Sequence, residues 1–346
     1  MKLSYEVVEL RTAHAFNIAR AASIPVRRSV WIRASDGEGN EGWGEASVTT
    51  PYYGESADTA MAVLPGLAAA VEDAAGGDPF ALERIEGAVA KSIGGNPATK
   101  TGISAALHDL VGKRLGMPVW KLWGLEPSSA ISSFTIGIDE LETMRERVRE
   151  AARYSILKIK VGTPSDEQIL RIIREEAPDK IIRVDANTAW TVKQALAALP
   201  MLEEYGVELI EQPLPPDDLE GMRTITAAST IPVVADESCK TSLDIPKLVG
   251  AVDVINIKLA KCGSLREAVR MIHTARSHRM QVMLGCMIES TLGIAAAVQL
   301  TPLVDYVDLD GAALLAGDPF TGPGIDASGK VSFNETAGLG VQRVNA

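Results

Sequence analysis

Three acidic residues close three consecutive short apolar runs at almost equal intervals: Asp185 in IIRVDAN, Glu211 in VELIEQP and Asp236 in IPVVADES. An interval of about 25 residues is one strand plus one helix, which brings the three carboxylates to the same end of neighbouring parallel strands. Carboxylates converging on one point repel each other in a low-dielectric pocket, and a divalent cation relieves that repulsion. The donors are oxygens alone, because His14, His108, His273 and His278 fall away from the strand ends. Oxygen donors favour Mg²⁺ over zinc, so Mg²⁺ is the expected cofactor.

Lysines flank the trio. Lys158 and Lys160 end the run SILKIKVG, and Lys258 lies in VDVINIKLAKCG. An ammonium at a barrel mouth is costly without a partner or a task. Lys158 and Lys160, spaced by two, share a strand face, and each is expected to lower the other's proton affinity, as suits a general base. Lys258 comes from the sixth strand, across the barrel from the second. One lysine then approaches a bound substrate from each face, the arrangement for taking an α-proton from one side and returning it from the other. The simpler alternative is that the lysines only ion-pair with the acids.

Positioning these groups requires a barrel. Eight strand-like runs lie between about residues 131 and 310, from ISSFTIG to LVDYVDLDG, and helical stretches such as LREAVRMIHTARSH separate them. Strand and helix in alternation, repeated to eight strands, give an α/β fold: a (β/α)7β TIM-like barrel with its chemistry at the strand C-termini. The expected limits are 1–125 for an N-terminal α+β capping domain, 126–316 for the barrel, and 317–346 for a turn-rich segment packing back on the cap. In the cap, KLSYEVVEL and SVWIRASDGEGNEGWGEAS read as antiparallel strands, followed by three helices.

A net charge of −11 argues against a nucleic-acid partner, which needs a basic patch. Three cysteines without CxxC spacing suit a reducing compartment. MKLSYEVVEL lacks a signal-peptide core, and no apolar run approaches the ~20 residues that span a bilayer. A cytoplasmic protein with no membrane partner is expected, and a symmetric homo-oligomer is common for such barrels.

The runs LKIKVG, RVDAN, IEQP, ADES, INIKLAKCGS and DLDG, together with GWGEA, GPGI and GLG, resemble the muconate-lactonising subgroup of the enolase superfamily over nearly the whole chain. The resemblance implies Asp185, Glu211 and Asp236 as Mg²⁺ ligands and Lys160 and Lys258 as the two acid/base groups. Lys158 would be an electrostatic neighbour, with Asn187 and Glu237 as supporting groups. Asp308-Leu309-Asp310 is similar to the motif by which dipeptide epimerases clamp the substrate's α-ammonium; alternate strand residues face one way, and two carboxylates suit a cation. The implied activity is a dipeptide epimerase, L-Ala-D/L-Glu above all, inverting the second α-carbon through a metal-stabilised enediolate, with a place in peptidoglycan recycling. The alternatives are a different side-chain preference, an o-succinylbenzoate synthase or N-acylamino-acid racemase, and a muconate cycloisomerase. Arg20, in the loop AFNIARAASIPVRRS, is the expected reader of a substrate carboxylate, with Arg27 or Arg28 in its place otherwise. Thr135, Ile136, Met287, Ile288 and Glu289 are expected as pocket walls.

Overall fold

The computed structural model describes residues 1–21 and 24–344, with backbone alone at Pro51 and Tyr52. Three strands, β1 (Lys2–Arg11), β2 (Val26–Ser35) and β3 (Glu41–Ala46), form an antiparallel sheet in that order. The turn DGEGN joins β2 to β3: Gly37 and Gly39 take positive φ of 81° and 97°, which only glycine adopts without strain, and Asp36 accepts the N–H groups of Glu38 and Asn40.

Helices α1 (Thr50–Tyr53), α2 (Ala57–Ala75), α3 (Leu82–Ser92), α4 (Pro97–Leu115) and α5 (Val119–Leu122) follow. A Ser56/Thr59 capping box opens α2, and Gly76 in the left-handed conformation closes it. Helix α4 is buried along most of its length, and the GWG of β3 is the reason. A Cβ at Gly42 would stand 2.0 Å from the Ala106 carbonyl oxygen, and one at Gly44 2.1 Å from that of Gly102. Only glycines let the helix lie this close to the sheet.

The second unit alternates strand and helix: β4 (Phe134–Ile136), α6 (Leu141–Glu150), β5 (Ile156–Lys160), α7 (Asp166–Glu176), β6 (Ile181–Asp185), α8 (Val192–Glu204), β7 (Val207–Glu211) and α9 (Leu219–Ala228). It continues with β8 (Val233–Ala235), α10 (Ile245–Leu248), β9 (Val254–Lys258), α11 (Leu259–Cys262), α12 (Leu265–Ser277), β10 (Gln281–Gly285), α13 (Thr291–Val298) and β11 (Tyr306–Asp308). The eight strands from β4 to β11 pair in parallel in chain order. A Ser132–Val307 bridge at the seam brings the ends together. Only a 3-10 turn (Gly311–Leu314) follows β11, and this gives the expected (β/α)7β form. The helical stretch expected behind the fifth barrel strand is the four-residue α10.

Alternation along the strands layers the interior. Leu209, Val234, Val254 and Met283 form an apolar plug, and two positions past the first three, Glu211, Asp236 and Asn256 bring polar groups to the mouth. After the barrel, β12 (Phe320–Thr321) pairs with β15 (Gln342–Arg343) and β13 (Gly324–Ile325) with β14 (Val331–Ser332). Phe320 meets Trp31 of the cap sheet edge-on at 4.9 Å between ring centroids. Among the described residues, no helix is long and apolar enough to cross a membrane.

Candidate active site at the barrel mouth

Strand register sets the site. Lys160, Asp185 and Glu211, each ending its strand, form one rung across β5, β6 and β7. Lys258, Gly285 and Asp308 form another across β9, β10 and β11. Asp236 follows the end of β8, between the two rungs. Gly285 has a packing reason, since a Cβ there would lie 2.7 Å from the side chain of Asn256. Asn256 uses that space to donate to Glu211 at 2.9 Å.

All three trio carboxylates are buried, and each holds a lysine. Lys160 Nζ donates to Asp185 at 2.7 Å and Lys258 Nζ to Asp236 at 2.8 Å. Lys158 stands among Glu211 at 2.7 Å, Asp308 at 2.8 Å and Asp185 at 3.2 Å. Burial pushes the Asp185 carboxyl up, but Lys160 and Lys158 outweigh it and bring it down to about 2. Burial likewise opposes Lys258 and Lys261 at Asp236, which ends well below the usual carboxylate range. Glu211 is pushed up, because burial there exceeds the pull of Lys158.

The expected depression of the lysine pair does not hold for Lys158. Burial lowers its proton affinity, yet Asp308, Glu211 and Asp185 hold it well above the ordinary lysine value. The two-residue spacing reveals the shared face, whereas the partners lie on three other strands. Lys258, against burial, is also held well above the ordinary value, by Asp236.

Asp308 accepts from Ser133 Oγ at 2.5 Å, and Asp310 accepts the Thr135 N–H at 2.6 Å. Burial opposes Lys158 and Ser133 at Asp308, which is lowered; burial and then Asp308 push Asp310 up to about 6. Asn187 donates its backbone N–H to Asp185 at 2.8 Å. Glu237 takes Arg20 at 2.9 Å and is pushed up to about 7 by burial and then by Asp236 and Asp185.

A cavity of about 120 Å³ opens over these groups. Its lining includes Thr135, Lys158, Lys160, Asn187, Asp236, Lys258, Met287, Ile288, Asp308 and Asp310 from the barrel, and Phe16, Ile18, Ile24 and Arg27 from the cap. The lining includes Arg27 and not Arg20, whose guanidinium is on Glu237; Arg28 is turned to Asp58 at 3.0 Å. Ala22 and Ser23 of the capping loop lie outside the described residues.

Sequence reasoning missed Lys261. It sits three residues past Lys258 on α11, fully enclosed, donating to Asp236 Oδ1 at 2.6 Å, to the Asp236 carbonyl and to the Asn256 carbonyl at 2.8 Å. The second lysine of KLAK was the available signal. Asn256 was legible too, two residues before Lys258 on one face. Gln212 was not: at φ 34° its side chain accepts the Asp236 N–H at 2.8 Å. Asn187 and Thr188 also have positive φ, 45° and 69°, so strain of roughly 1–3 kcal/mol per residue collects where β6 and β7 end.

The chemistry of the donors fits a hard dication. Among the described residues no three His, Cys, Asp or Glu side chains already form a ligand cage, because lysine ammoniums stand between the carboxylates. The carboxylates of Asp185, Glu211 and Asp236 nevertheless converge from adjacent strands, and Asn187 Oδ1 and Glu237 Oε2 are buried beside them without hydrogen-bond partners. Oxygens left bare in this way suit Mg²⁺ and its waters.

Fold and site together define a capped (β/α)7β barrel that opposes two lysines across a carboxylate cluster. Residues 140–344 match the enolase C-terminal domain-like family, and residues 4–124 the N-terminal domain of mandelate racemase / muconate lactonizing enzyme. The chain belongs to this family within the enolase superfamily. It is 39% identical to an L-Ala-D/L-Glu epimerase of Bacteroides thetaiotaomicron, over 99% of this chain and 88% of that one. It is 34% identical to a hydrophobic dipeptide epimerase of Enterococcus faecalis, over 96% of each. A dipeptide epimerase of Enterococcus faecalis, solved with Mg and the dipeptide L-Leu-L-Tyr, superposes with a TM-score of 0.92 at 33% identity over 98% of both chains. The substrate-liganded L-Ala-D/L-Glu epimerase of Bacillus subtilis gives 0.93 at 28%, over 99% of this chain and 98% of that one.

Proposed function

We propose that this protein is a Mg²⁺-dependent dipeptide epimerase, with L-Ala-D/L-Glu as the favoured substrate. The observation that carries the reading is the placing of Lys160 and Lys258 on the second and sixth barrel strands, either side of the carboxylate trio and lining one cavity. Asp185, Glu211 and Asp236 would hold Mg²⁺, which supplies positive charge to the substrate carboxylate as the α-proton leaves. Asn187 and Glu237 support that cluster.

One of Lys160 and Lys258 takes the α-proton of the second residue, and the other delivers a proton to the opposite face. Each must be a free amine when it acts as base. Lys160 now stands on Asp185 and Lys258 on Asp236, and these contacts must loosen in the substrate complex. Asp310 and Asp308 take the substrate's α-ammonium; Asp308 shares its charge with Lys158, leaving Asp310 the less committed of the two. Thr135 orients Asp310 through its N–H. Phe16, Ile18, Ile24, Met287 and Ile288 exclude water, and Arg27 is the cation placed to read a glutamate side chain.

Identity of 39% and 34% to relatives named for Ala-Glu and for hydrophobic dipeptides supports the class. An Ala-Glu substrate would place the enzyme in the recycling of peptidoglycan peptides, in the cytoplasm. We also propose the cap, barrel and tail limits 1–125, 126–316 and 317–346, and a homo-oligomeric assembly.

The test is Lys160→Ala and Lys258→Ala with Mg²⁺ in D₂O. Loss of a positioned acid/base group is expected to slow epimerisation ~10²–10⁴-fold. Each variant should still exchange the α-proton of the one epimer its remaining lysine faces. Wild-type rates in both variants would end the two-base reading.

A further inference from the structure

Two more carboxyl groups lie buried between cap and barrel, and the chemistry above uses neither. Glu45 of the GWGEA run is on β3, and Glu289 is on the segment between β10 and α13; they are 2% and 9% exposed. Glu45 crosses the domain junction. It accepts the Ser290 N–H at 3.2 Å on one oxygen and 3.4 Å on the other, and it also takes the hydroxyls of Ser290 and Ser29. Ser290 in turn caps α13, its Oγ accepting the Leu292 N–H at 3.3 Å.

The four residues Met287–Ser290 are thereby gripped along their length. Ser47, next to β3, donates to the Ile288 carbonyl at 3.5 Å, and Glu289 accepts the Met287 N–H at 3.3 Å. From the barrel seam, Gly311 presses so close that a Cβ would come within 2.1 Å of the Met287 carbonyl oxygen. Met287 and Ile288 line the substrate cavity. Burying a carboxylate is costly unless donors surround it, and here the donors belong to two domains.

We propose that Glu45 is a positioning residue: acting from the cap through Ser290, it sets where Met287 and Ile288 stand against the substrate. The proposal rests on the dipeptide reading for its kinetic consequence only. Seating of the cap and the shape of the substrate wall become one joint, which couples the two units that must read a single substrate. The groups facing this joint include Ser29 from β2, Ser290 and Glu289 from the barrel segment, Lys258, whose charge acts on Glu289, and Asp318, which caps α13 from the tail through Thr291 at 2.8 Å. Burial pushes Glu45 up to about 7 and Glu289 up to about 8, as two carboxyls sharing a dry junction should behave.

The test uses two readouts on Glu45→Gln and Ser290→Ala. In protein labelled at the methionine methyls, with Met287→Leu identifying the Met287 signal, both variants should shift that resonance. In steady-state kinetics both should raise KM for dipeptides with large second residues about tenfold, with kcat changed little, since misplaced pocket walls weaken binding first. Glu45→Asp should recover part of the KM. An unmoved Met287 signal in both variants overturns the proposal, as does a KM ratio across the panel equal to wild type. If the wild type processes no dipeptide at all, the functional reading falls, and the Met287 signal still decides the positioning claim.

Discussion

Replacing Lys261 by methionine keeps the length of the side chain and removes its charge. The ammonium is fully enclosed and donates to Asp236 Oδ1, the Asp236 carbonyl and the Asn256 carbonyl. Breaking a buried ion pair by deleting one partner costs about 3–5 kcal/mol, because the other charge stays buried. Asp236 retains Lys258 at 2.8 Å, so the lower end, about 3 kcal/mol, applies. Unfolding entropy of about 2.1 cal/mol/K per residue over 346 residues gives ~0.7 kcal/mol/K. The expected fall in Tm is therefore about 4 °C. Differential scanning calorimetry measures it, with Lys121→Met as the control. Lys121 is about half exposed and 3.8 Å from Glu335, a surface contact of about 0–1 kcal/mol. If K261M melts within about 1 °C of K121M, the enclosed three-acceptor arrangement is not stabilising the mouth and the reasoning fails.

Two further perturbations follow from the same structure. Burial raises the Glu289 carboxyl from 4.5 to about 8, so the folded protein binds this proton more tightly than the unfolded chain. The stabilisation is complete below about pH 4.5 and lost as pH rises to about 8, with a ceiling of about 5 kcal/mol at 1.36 kcal/mol per unit. Glu289→Gln should flatten urea-derived stability between pH 5 and pH 9 and exceed wild type at the alkaline end; parallel wild-type and variant profiles would refute the assignment. Arg27→Ala should cut the kcat/KM preference for Ala-Glu over Ala-Leu about tenfold, as loss of a charge-assisted contact implies. Arg20→Ala, which releases Glu237, should leave that ratio unchanged. The reverse pattern would return the reading of the side chain to Arg20.

The barrel and its acids were legible because their signal is periodic. Asp185, Glu211 and Asp236 each close an apolar run, and strand pairing in chain order turns equal spacing into adjacency. Lys158 was misjudged on proton affinity, since a two-residue spacing fixes a face and leaves open which strands approach it. Its three carboxylate partners come from 27, 53 and 150 residues away. Lys261 was overlooked because α11 turns back at the end of β9 and returns a residue three positions on into the site. The Arg20–Glu237 contact spans 217 residues between two domains, and nothing local encodes it. Nor does composition foretell the positive φ at Asn187 and Gln212, which β6 and β7 impose where they end.

The most direct test of the account is ¹H NMR of the wild-type protein with Mg²⁺ in D₂O, across Ala-Glu, Ala-Phe, Ala-Lys and Ala-Leu, with N-succinyl amino acids alongside. The account predicts loss of the α-proton signal at the second residue, fastest for Ala-Glu, with both epimers accumulating. Exchange confined to the N-succinyl compounds, and none on any free dipeptide, would contradict it and move the enzyme to the N-acylamino-acid racemase branch of its family.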